Sequence, residues 1–278
     1  MKIYEKLSFD EERALYGERD ILVRDCVFDG PADGESAFKE GGNIEATDCF
    51  FNLRYPFWHC DDVKIINCEM TELCRAALWY SSDIEISDSK LHGIKALREC
   101  ENIKIEKCDV ISPEFGWFSS DIKVRDSKFV SEYFMLRAKN LDFKNVDFKG
   151  KYSFQYIEDS VFDSCNFDTK DAFWHSKGVT VRNSTVKGEY LGWYAEDLTF
   201  ENCTIIGTQP LCYCQNLKLI NCKMVDCDLS FEKSSVEAEV SSHIDSVMNP
   251  YFGYIEADSI GEIIDQVGKC RILVKETV

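Results

Sequence analysis

A phrase of nine residues that returns every nineteen positions constrains this chain more than any other feature. It reads Asn or Asp, apolar, any, apolar, any, Asn or Asp, Cys or Ser, any, apolar, and its clearest copy is Asn216–Met224. Copies at the constant spacing begin at Asp83, Asn102, Asp121, Asn140, Asp159, Gly178, Asp197, Asn216 and Ser235, and looser copies begin at Asp20, Asn43 and Asp62. Such a period predicts a solenoid, because each copy can bury its apolar face only against its neighbours.

Each copy contains enough strand signals for one complete turn of a β-solenoid. Apolar residues alternate with polar ones at the start of the phrase, as in Asp83–Ser87, and the following Asn or Asp tolerates the left-handed geometry of a tight bend. A second short strand and a third, aromatic strand complete the nineteen residues. We therefore predict an all-β fold, a right-handed parallel β-helix of about twelve coils, with ladders of stacked Asn and Asp side chains at about 4.8 Å.

Two other solenoids deserve comparison. Part of the phrase matches the strand of a leucine-rich repeat, but nineteen residues is below the range of that family and the rest of each coil is strand-like rather than helical. A left-handed hexapeptide helix would show a period of six inside each coil, and the sequence has none. The leucine-rich repeat is the alternative that stays open.

The unbroken repeat predicts one domain, residues 1–278. Residues 1–19 precede the first copy, and Ser8 or Asp10 followed by Glu11–Leu15 predicts a short helix that caps the solenoid. Coils are expected over 20–242. Because the pattern decays after Ser235, residues 243–278 are expected to form an irregular C-terminal cap, with strand signals at Ile255–Ile260 and Arg271–Val274.

Composition excludes several classes of function. The formal net charge of −18 opposes binding to nucleic acid. No run of eighteen apolar residues exists, so we expect no membrane span, and the N-terminus lacks an apolar signal core, so we expect a cytoplasmic protein. Seven of the fourteen cysteines share one repeat position with serines, which predicts a column of small buried side chains. No ligand pattern indicates a metal, and no cofactor is expected.

The third strand differs from the rest of the coil. All five tryptophans lie four residues before a phrase, in what we term the indole column: Lys39, Trp58, Trp79, Arg98, Trp117, Leu136, Gln155, Trp174, Trp193, Cys212 and Phe231. The next position forms the rim column: Glu40, His59, Tyr80, Glu99, Phe118, Arg137, Tyr156, His175, Tyr194, Tyr213 and Glu232. The preceding position forms the inner column: Phe38, Phe57, Leu78, Leu97, Gly116, Met135, Phe154, Phe173, Gly192, Leu211 and Ser230.

The inner column is almost wholly apolar, so we expect it to face the core and the other two columns to face outward. Arg98 and Gln155 support this phase, since unpaired polar groups are rarely buried. In the alternative phase the tryptophans are buried together with the small residues that follow the rim column, such as Cys60 and Ser81.

An exposed stripe of aromatic and charged side chains is typical of a sugar-binding groove. We expect the polar, candidate catalytic residues to be Arg98, Glu99, Arg137 and His175. We expect the remaining ligand contacts to come from Trp58, His59, Trp79, Tyr80, Trp117, Tyr156, Asp171, Trp174, Trp193 and Tyr194. Arg98 is flanked by Trp79 and Trp117 one coil away on each side, which predicts cation–π contacts.

The chain resembles an uncharacterised bacterial family of right-handed β-helices within the pectin-lyase-like group. The segments that carry the resemblance are Gly30–Ala37, Leu53–His59, Cys74–Tyr80, Gly93–Glu99, Gly150–Tyr156, Asp168–His175 and Gly207–Cys214. The resemblance implies the fold and no particular reaction.

Two functions therefore stay open. The first is binding of an oligosaccharide, or a lyase or hydrolase reaction on one, along the outward stripe. The second is a non-catalytic scaffold whose stripe binds a protein or a second copy of the chain as a homo-oligomer.

Overall fold

The structure, a computed structural model, describes residues 1–275 and is built from parallel β-strands. It forms a β-solenoid of about 14 turns, and residues 1–275 contain no helix. By their internal contacts the residues divide into two compact units, Met1–Asp142 and Phe143–Val278. We call these unit 1 and unit 2.

Unit 1 holds short strands that recur in the same order in each coil. They are β1 (Lys2–Glu5), β2 (Ser8–Phe9), β3 (Arg19–Arg24), β4 (Val27–Phe28), β5 (Gly42–Thr47), β6 (Phe50–Phe51), β7 (Asp61–Ile66), β8 (Glu69–Met70), β9 (Leu78–Trp79), β10 (Ser82–Ser87), β11 (Lys90–Leu91), β12 (Leu97–Arg98), β13 (Glu101–Glu106), β14 (Asp109–Ile111) and β15 (Ser120–Glu132).

Unit 2 continues the same order of strands. Strand β16 (Lys139–Lys151) starts before the boundary, and the others are β17 (Glu158–Asp163), β18 (Asn166–Asp168), β19 (Lys177–Arg182), β20 (Thr185–Lys187), β21 (Glu196–Glu201), β22 (Thr204–Ile206), β23 (Leu217–Val225), β24 (Ser235–Met248), β25 (Phe252–Ile264) and β26 (Cys270–Val274).

The strand register reproduces the sequence period. In unit 1, Ile84 of β10 pairs with Ile103 of β13, nineteen residues later, and both face the core. In unit 2, Val179 pairs with Leu198 at the same offset. Because parallel strands in register place equivalent residues about 4.8 Å apart, every repeat position becomes a column of side chains.

The predicted N-terminal helical cap is wrong, because residues 11–17 form the third side of a coil. The backbone N–H groups of Arg13 and Leu15 donate to the carbonyls of Glu35 and Ala37, 2.8 Å away in each case, so they make no helical bonds. Asp10, a predicted helix cap, instead accepts a hydrogen bond from the Ala32 N–H at 2.9 Å with a carboxylate oxygen. The cap signals are local, and pairing with the next coil overrides them.

The count of twelve coils is also too low, and the C-terminal region is more regular than predicted. Strand β1 pairs with β3 and so adds a coil before Asp20. Beyond residue 242, β24 and β25 run on, and β25 and β26 contain the strands predicted at Ile255–Ile260 and Arg271–Val274. The spacing shortens there, since Ser235 pairs with Phe252 and Gly253 with Cys270. Residues 276–278 of the predicted cap lie outside the described part.

Side-chain columns fill and border the core as the repeat predicts. All fourteen cysteines are buried and unpaired in disulfides. In unit 1 the Phe38 and Phe57 rings stack with centroids 4.8 Å apart, and in unit 2 the Phe154 and Phe173 rings stack at 5.2 Å. The predicted amide ladder is present, for example where Asn140 donates to Asp121 at 3.0 Å.

Candidate functional site

The third side of each coil turns outward at the rim column. Every inner-column residue is buried, the tryptophans are half-buried, and the small residues after the rim column, including Cys60 and Ser81, are buried again. The outward phase is thus confirmed: the chain bends between two core-facing positions.

The bend is made by residues in the left-handed region. The ten rim-column residues from Glu40 to Tyr213 all have φ between 50° and 63°. This backbone conformation is unfavourable for residues other than Gly. It is stabilised here because the chain pairs with the coils on each side. It points their side chains away from the core, and those from Glu40 to Tyr194 are exposed.

Four of the five tryptophans stabilise the bend through their indole N–H groups. Trp79, Trp174 and Trp193 donate to backbone carbonyls sixteen residues later, at Lys95 (2.6 Å), Tyr190 (2.6 Å) and Gln209 (2.8 Å). Trp117 makes the same bond to Tyr133. The bond satisfies a carbonyl that a tight bend would otherwise leave without a partner.

Gln155 shows that this hydrogen bond does not require an indole. Its side-chain amide donates to the Asp171 carbonyl at 3.0 Å, which is the bond a tryptophan makes elsewhere in the column. A side chain without an aromatic ring therefore serves the same structural purpose. No pattern in the sequence indicates this role for Gln155.

In unit 2 the aromatic rings stack face to face. The indoles of Trp174 and Trp193 lie 5.4 Å apart and 6° from parallel. In the rim column His175 stacks on Tyr156 at 4.8 Å and on Tyr194 at 4.9 Å. The inner members of this stack have a ring on both faces, so only their edges reach solvent.

Tyr213 ends this stack and binds a carboxylate. Its hydroxyl donates to Glu232 at 2.7 Å and its ring stacks on Tyr194 at 4.9 Å. The hydrogen bond to Glu232 raises the pKa of Tyr213 to about 12. The phenol therefore stays protonated at neutral pH and serves as a hydrogen-bond donor.

In unit 1 the rings surround a cation. The Arg98 guanidinium lies 5.1 Å from the Trp79 ring centre and 5.5 Å from that of Trp117, so the predicted cation–π contacts are present. It also lies 5.5 Å from the Phe118 ring centre, and its Nε is 3.3 Å from the Glu99 carboxylate. Arg98 is thus held by three rings and one acid.

A cleft of about 620 Å³ opens beside Arg98. It lies where the rim column carries Glu99 between Tyr80 and Phe118, so that a carboxylate stands where unit 2 has a ring. The lining residues are Tyr80, Ser81, Ser82, Arg98, Glu99, Cys100, Glu101, Phe118 and Ser120. This volume is in the usual range of small-molecule sites.

The structure brings only part of the predicted site together. Arg98, Glu99 and Tyr80 line the cleft, with Trp79 and Trp117 behind Arg98. The other predicted residues of unit 1 lie along the same stripe: Trp58 is half-buried, and His59 and Arg137 are exposed. The predicted residues of unit 2 belong to its ring stack, apart from Asp171.

Asp171 lies on a second left-handed bend and is buried, with 6% of its surface exposed and φ of 53°. Loss of hydration raises the pKa of its carboxyl; Lys170 opposes this rise and Glu189 adds to it. Both neighbours are engaged with each other at 2.9 Å. Asp171 is therefore shielded from the surface where a ligand contact was predicted.

Sequence reasoning did not assign six of the lining residues to the site: Ser81, Ser82, Cys100, Glu101, Phe118 and Ser120. The available signal was the alternation of ring, acid and ring in the rim column at Tyr80, Glu99 and Phe118. Because Glu99 takes the position between two aromatic residues, the rings of Tyr80 and Phe118 lie two strands apart and leave a gap between them.

A second groove, of about 530 Å³, lies in unit 1 where the coils beginning at Asp20 and Asp62 exceed nineteen residues. It is lined by Asp33, Arg54, Glu72, Leu73, Arg75, His92, Ile94, Ile111 and Pro113. Three of its aliphatic side chains are exposed, most of all Leu73 at 63%. The irregular spacing was the signal for this groove.

Residues 1–275 contain no group of three or more His, Cys, Asp or Glu side chains arranged to hold a metal ion. In the same residues no helix is long and apolar enough to cross a membrane.

Several solved structures are similar to the chain at low identity. A surface adhesin of Streptococcus pneumoniae, PfbA, shows 10% identity and a TM-score of 0.38, covering 87% of this chain and 76% of its own. The A-module of the Azotobacter vinelandii mannuronan C-5 epimerase AlgE4 shows 11% identity and a TM-score of 0.36, and the match covers 99% of this chain and 89% of that module. The catalytic domain of a GH87 alpha-1,3-glucanase shows 10% identity and a TM-score of 0.31, and the match covers 93% of this chain and 54% of that domain.

No curated protein matches this chain. A family model does match it, over residues 2–272, which is nearly its whole length. The chain therefore belongs to the family described as Protein of unknown function (DUF3737).

Proposed function

We propose that the cleft over Glu99 in unit 1 binds a saccharide ring. The observation that carries the proposal is the gap between Tyr80 and Phe118, which belong to coils two strands apart. Their Cα atoms are therefore separated by about 9.6 Å. A sugar ring placed between two aromatic rings needs two layers of carbon contacts of about 3.5–4.0 Å each, which fits this separation.

The polar lining suits sugar hydroxyls. Glu99 and Glu101 supply carboxylate oxygens, and Ser82 and Ser120 supply hydroxyls that both donate and accept. Arg98 supports the site from the side, because its guanidinium is covered by rings and bonded to Glu99.

Hydrolysis is the reaction that this lining could support. Glycoside hydrolysis uses two carboxyl groups that flank the scissile bond. Glu99 and Glu101 are the carboxylates of the cleft. A lyase fits less well, since its base would have to be Arg98, which is already engaged.

Calorimetric titration with oligosaccharides of neutral, acidic and basic type tests the proposal. Tyr80→Ala and Phe118→Ala should each weaken binding about tenfold or more, which is about 1.4 kcal/mol. Tyr194→Ala is the matched control: an exposed rim residue of unit 2 whose ring faces are covered by His175 and Tyr213. Chromatography of the incubated sugars reports turnover. The proposal fails if no sugar binds, or if the control weakens binding equally.

A scaffold function is the second candidate, and the exposed aliphatic groove favours it. If a second copy of the chain covers Leu73, Ile94 and Ile111, sedimentation velocity should show association that increases with concentration and is lost in Leu73→Asp. A monomer at every concentration would contradict it.

A further inference from the structure

The charges of the Glu99 cleft are unequally engaged. Of its three charged side chains, Arg98 and Glu99 bond to each other at 3.3 Å, and the Arg98 side chain is only 26% exposed. The third, Glu101, is exposed, and its carboxylate makes no hydrogen bond or ion pair within the described part of the chain. The charge left for a ligand is therefore negative.

Glu101 has a fixed place in the cleft. It is the first residue of β13 and is paired in register with Ser82 of β10 and Ser120 of β15. Its two strand neighbours thus carry hydroxyl side chains, with their Cα atoms about 4.8 Å from that of Glu101 on either side. Farther along the same column, Asp61 is already bound by both terminal nitrogens of Arg19, at 2.9 and 2.5 Å.

These groups match an ammonium better than a carboxylate. An ammonium has three donors and no acceptor, so Glu101 and one of the flanking serine hydroxyls can each accept a hydrogen bond from it. The Tyr80 ring can also attract a cation, whereas the Phe118 ring already has the Arg98 guanidinium 5.5 Å from its centre. A carboxylate would face Glu101 and would have to displace Glu99 from Arg98.

We infer that the cleft takes an amino sugar with a free ammonium group, bound through Glu101, in preference to a neutral sugar or a uronate. This inference rests on the proposed saccharide site and narrows it to one class of ligand. Glu101 acts as the group that selects the ligand's charge.

The test uses calorimetry to compare the binding of four hexasaccharides. They are the hexamers of glucosamine, of N-acetylglucosamine, of β-1,4-linked glucose and of galacturonate. The glucosamine hexamer should bind at least tenfold more tightly than the two neutral hexamers, and the galacturonate hexamer should not bind measurably. Glu101→Gln should lower the affinity for the glucosamine hexamer at least tenfold and remove its preference over the neutral hexamers. The affinity for the neutral hexamers should fall much less, because Gln keeps a hydrogen-bonding oxygen and loses only the charge.

A control separates Glu101 from the general acidity of the protein. Glu45→Gln removes the same charge from another strand of unit 1, β5, and should leave the preference intact. If both substitutions reduce the affinity equally, the attraction is nonspecific and the inference fails. If neutral hexamers bind as well as the amino sugar, the inference fails while the proposed saccharide site survives. If none of the four binds, both fail.

Discussion

The rim column is built differently in the two units. In unit 2, Tyr156, His175, Tyr194 and Tyr213 stack with centroids 4.8–4.9 Å apart and close one another's faces. In unit 1 a carboxylate, Glu99, interrupts the rings, and a cleft lies there. The same bend and the same backbone thus form either a closed stack or an open site, depending on which side chain one coil carries.

A second bend shows a related contrast. In unit 1, Lys95 and Glu114 occupy equivalent positions in successive coils and pair at 3.1 Å at the surface. In unit 2 the same column holds Asp171, which is buried. Charge is neutralised within the column in one unit and shielded from water in the other.

The largest effect should come from breaking the closed stack. Trp174→Ala removes the ring that stacks on Trp193 and the N–H bonded to the Tyr190 carbonyl. We expect a loss of about 2–4 kcal/mol of unfolding free energy, somewhat below that of a fully buried tryptophan. Denaturant titration measures it. Sugar affinity should not change, and Trp174→Phe should recover only part of the loss, because the ring returns but the donor to the Tyr190 carbonyl does not.

Closing the open site should have the next largest effect. Glu99→Tyr places a ring in the gap, and the left-handed backbone accepts it, since Tyr80 and Tyr156 have φ of 58° and 57°. We expect sugar affinity to fall at least tenfold, about 1.4 kcal/mol, with no loss of thermal stability.

Glu40→Tyr is the control for that substitution, because it adds a ring to the same column outside the cleft. If both variants keep full affinity, the gap is not the binding site. If sugar affinity falls in both variants, the cause is a general effect of adding a ring to the column.

The smallest effect should come from Asp171. Because burial raises the pKa of its carboxyl above the ordinary 3.8, the folded state holds the proton more tightly than the unfolded state. Stability is therefore lost as the pH rises from 3.8 through the folded pKa. Asp171→Asn should raise Tm slightly at pH 7, and the pH-dependent part of the gain should vanish below pH 3.8.

Melting curves recorded from below pH 3.8 up to pH 7 test whether the gain in Tm from Asp171→Asn increases with pH. Asp168→Asn removes an exposed carboxylate from the same coil and should give no such gain. A gain for Asp171→Asn that is equal at every pH would instead reflect only the preference of Asn for the left-handed bend.

The period predicted most of the fold because it acts through pairing between coils. The alternation in Asp83–Ser87 was enough to identify the core side of β10, and the column of Arg98 was enough to predict its contacts with Trp79 and Trp117. The helix expected at Glu11–Leu15 failed because cap residues such as Asp10 are equally able to bond to the next coil.

The cleft itself was only half predicted. Arg98 and Glu99 were identified from their column, but Glu101 belongs to the following strand and looks like any exposed acid in the sequence. Its position between Ser82 and Ser120 follows from register, which requires the coils to be stacked.

The left-handed rim has a consequence for how this surface can change over evolution. Side chains branched at Cβ fit poorly at positive φ, and none of the ten residues from Glu40 to Tyr213 is Val, Ile, Thr or Pro. Within that limit the column already holds acids, bases, imidazoles, phenols and a phenyl ring on one backbone. New ligand preferences can thus arise by single substitutions, one coil at a time, without rebuilding the fold beneath them.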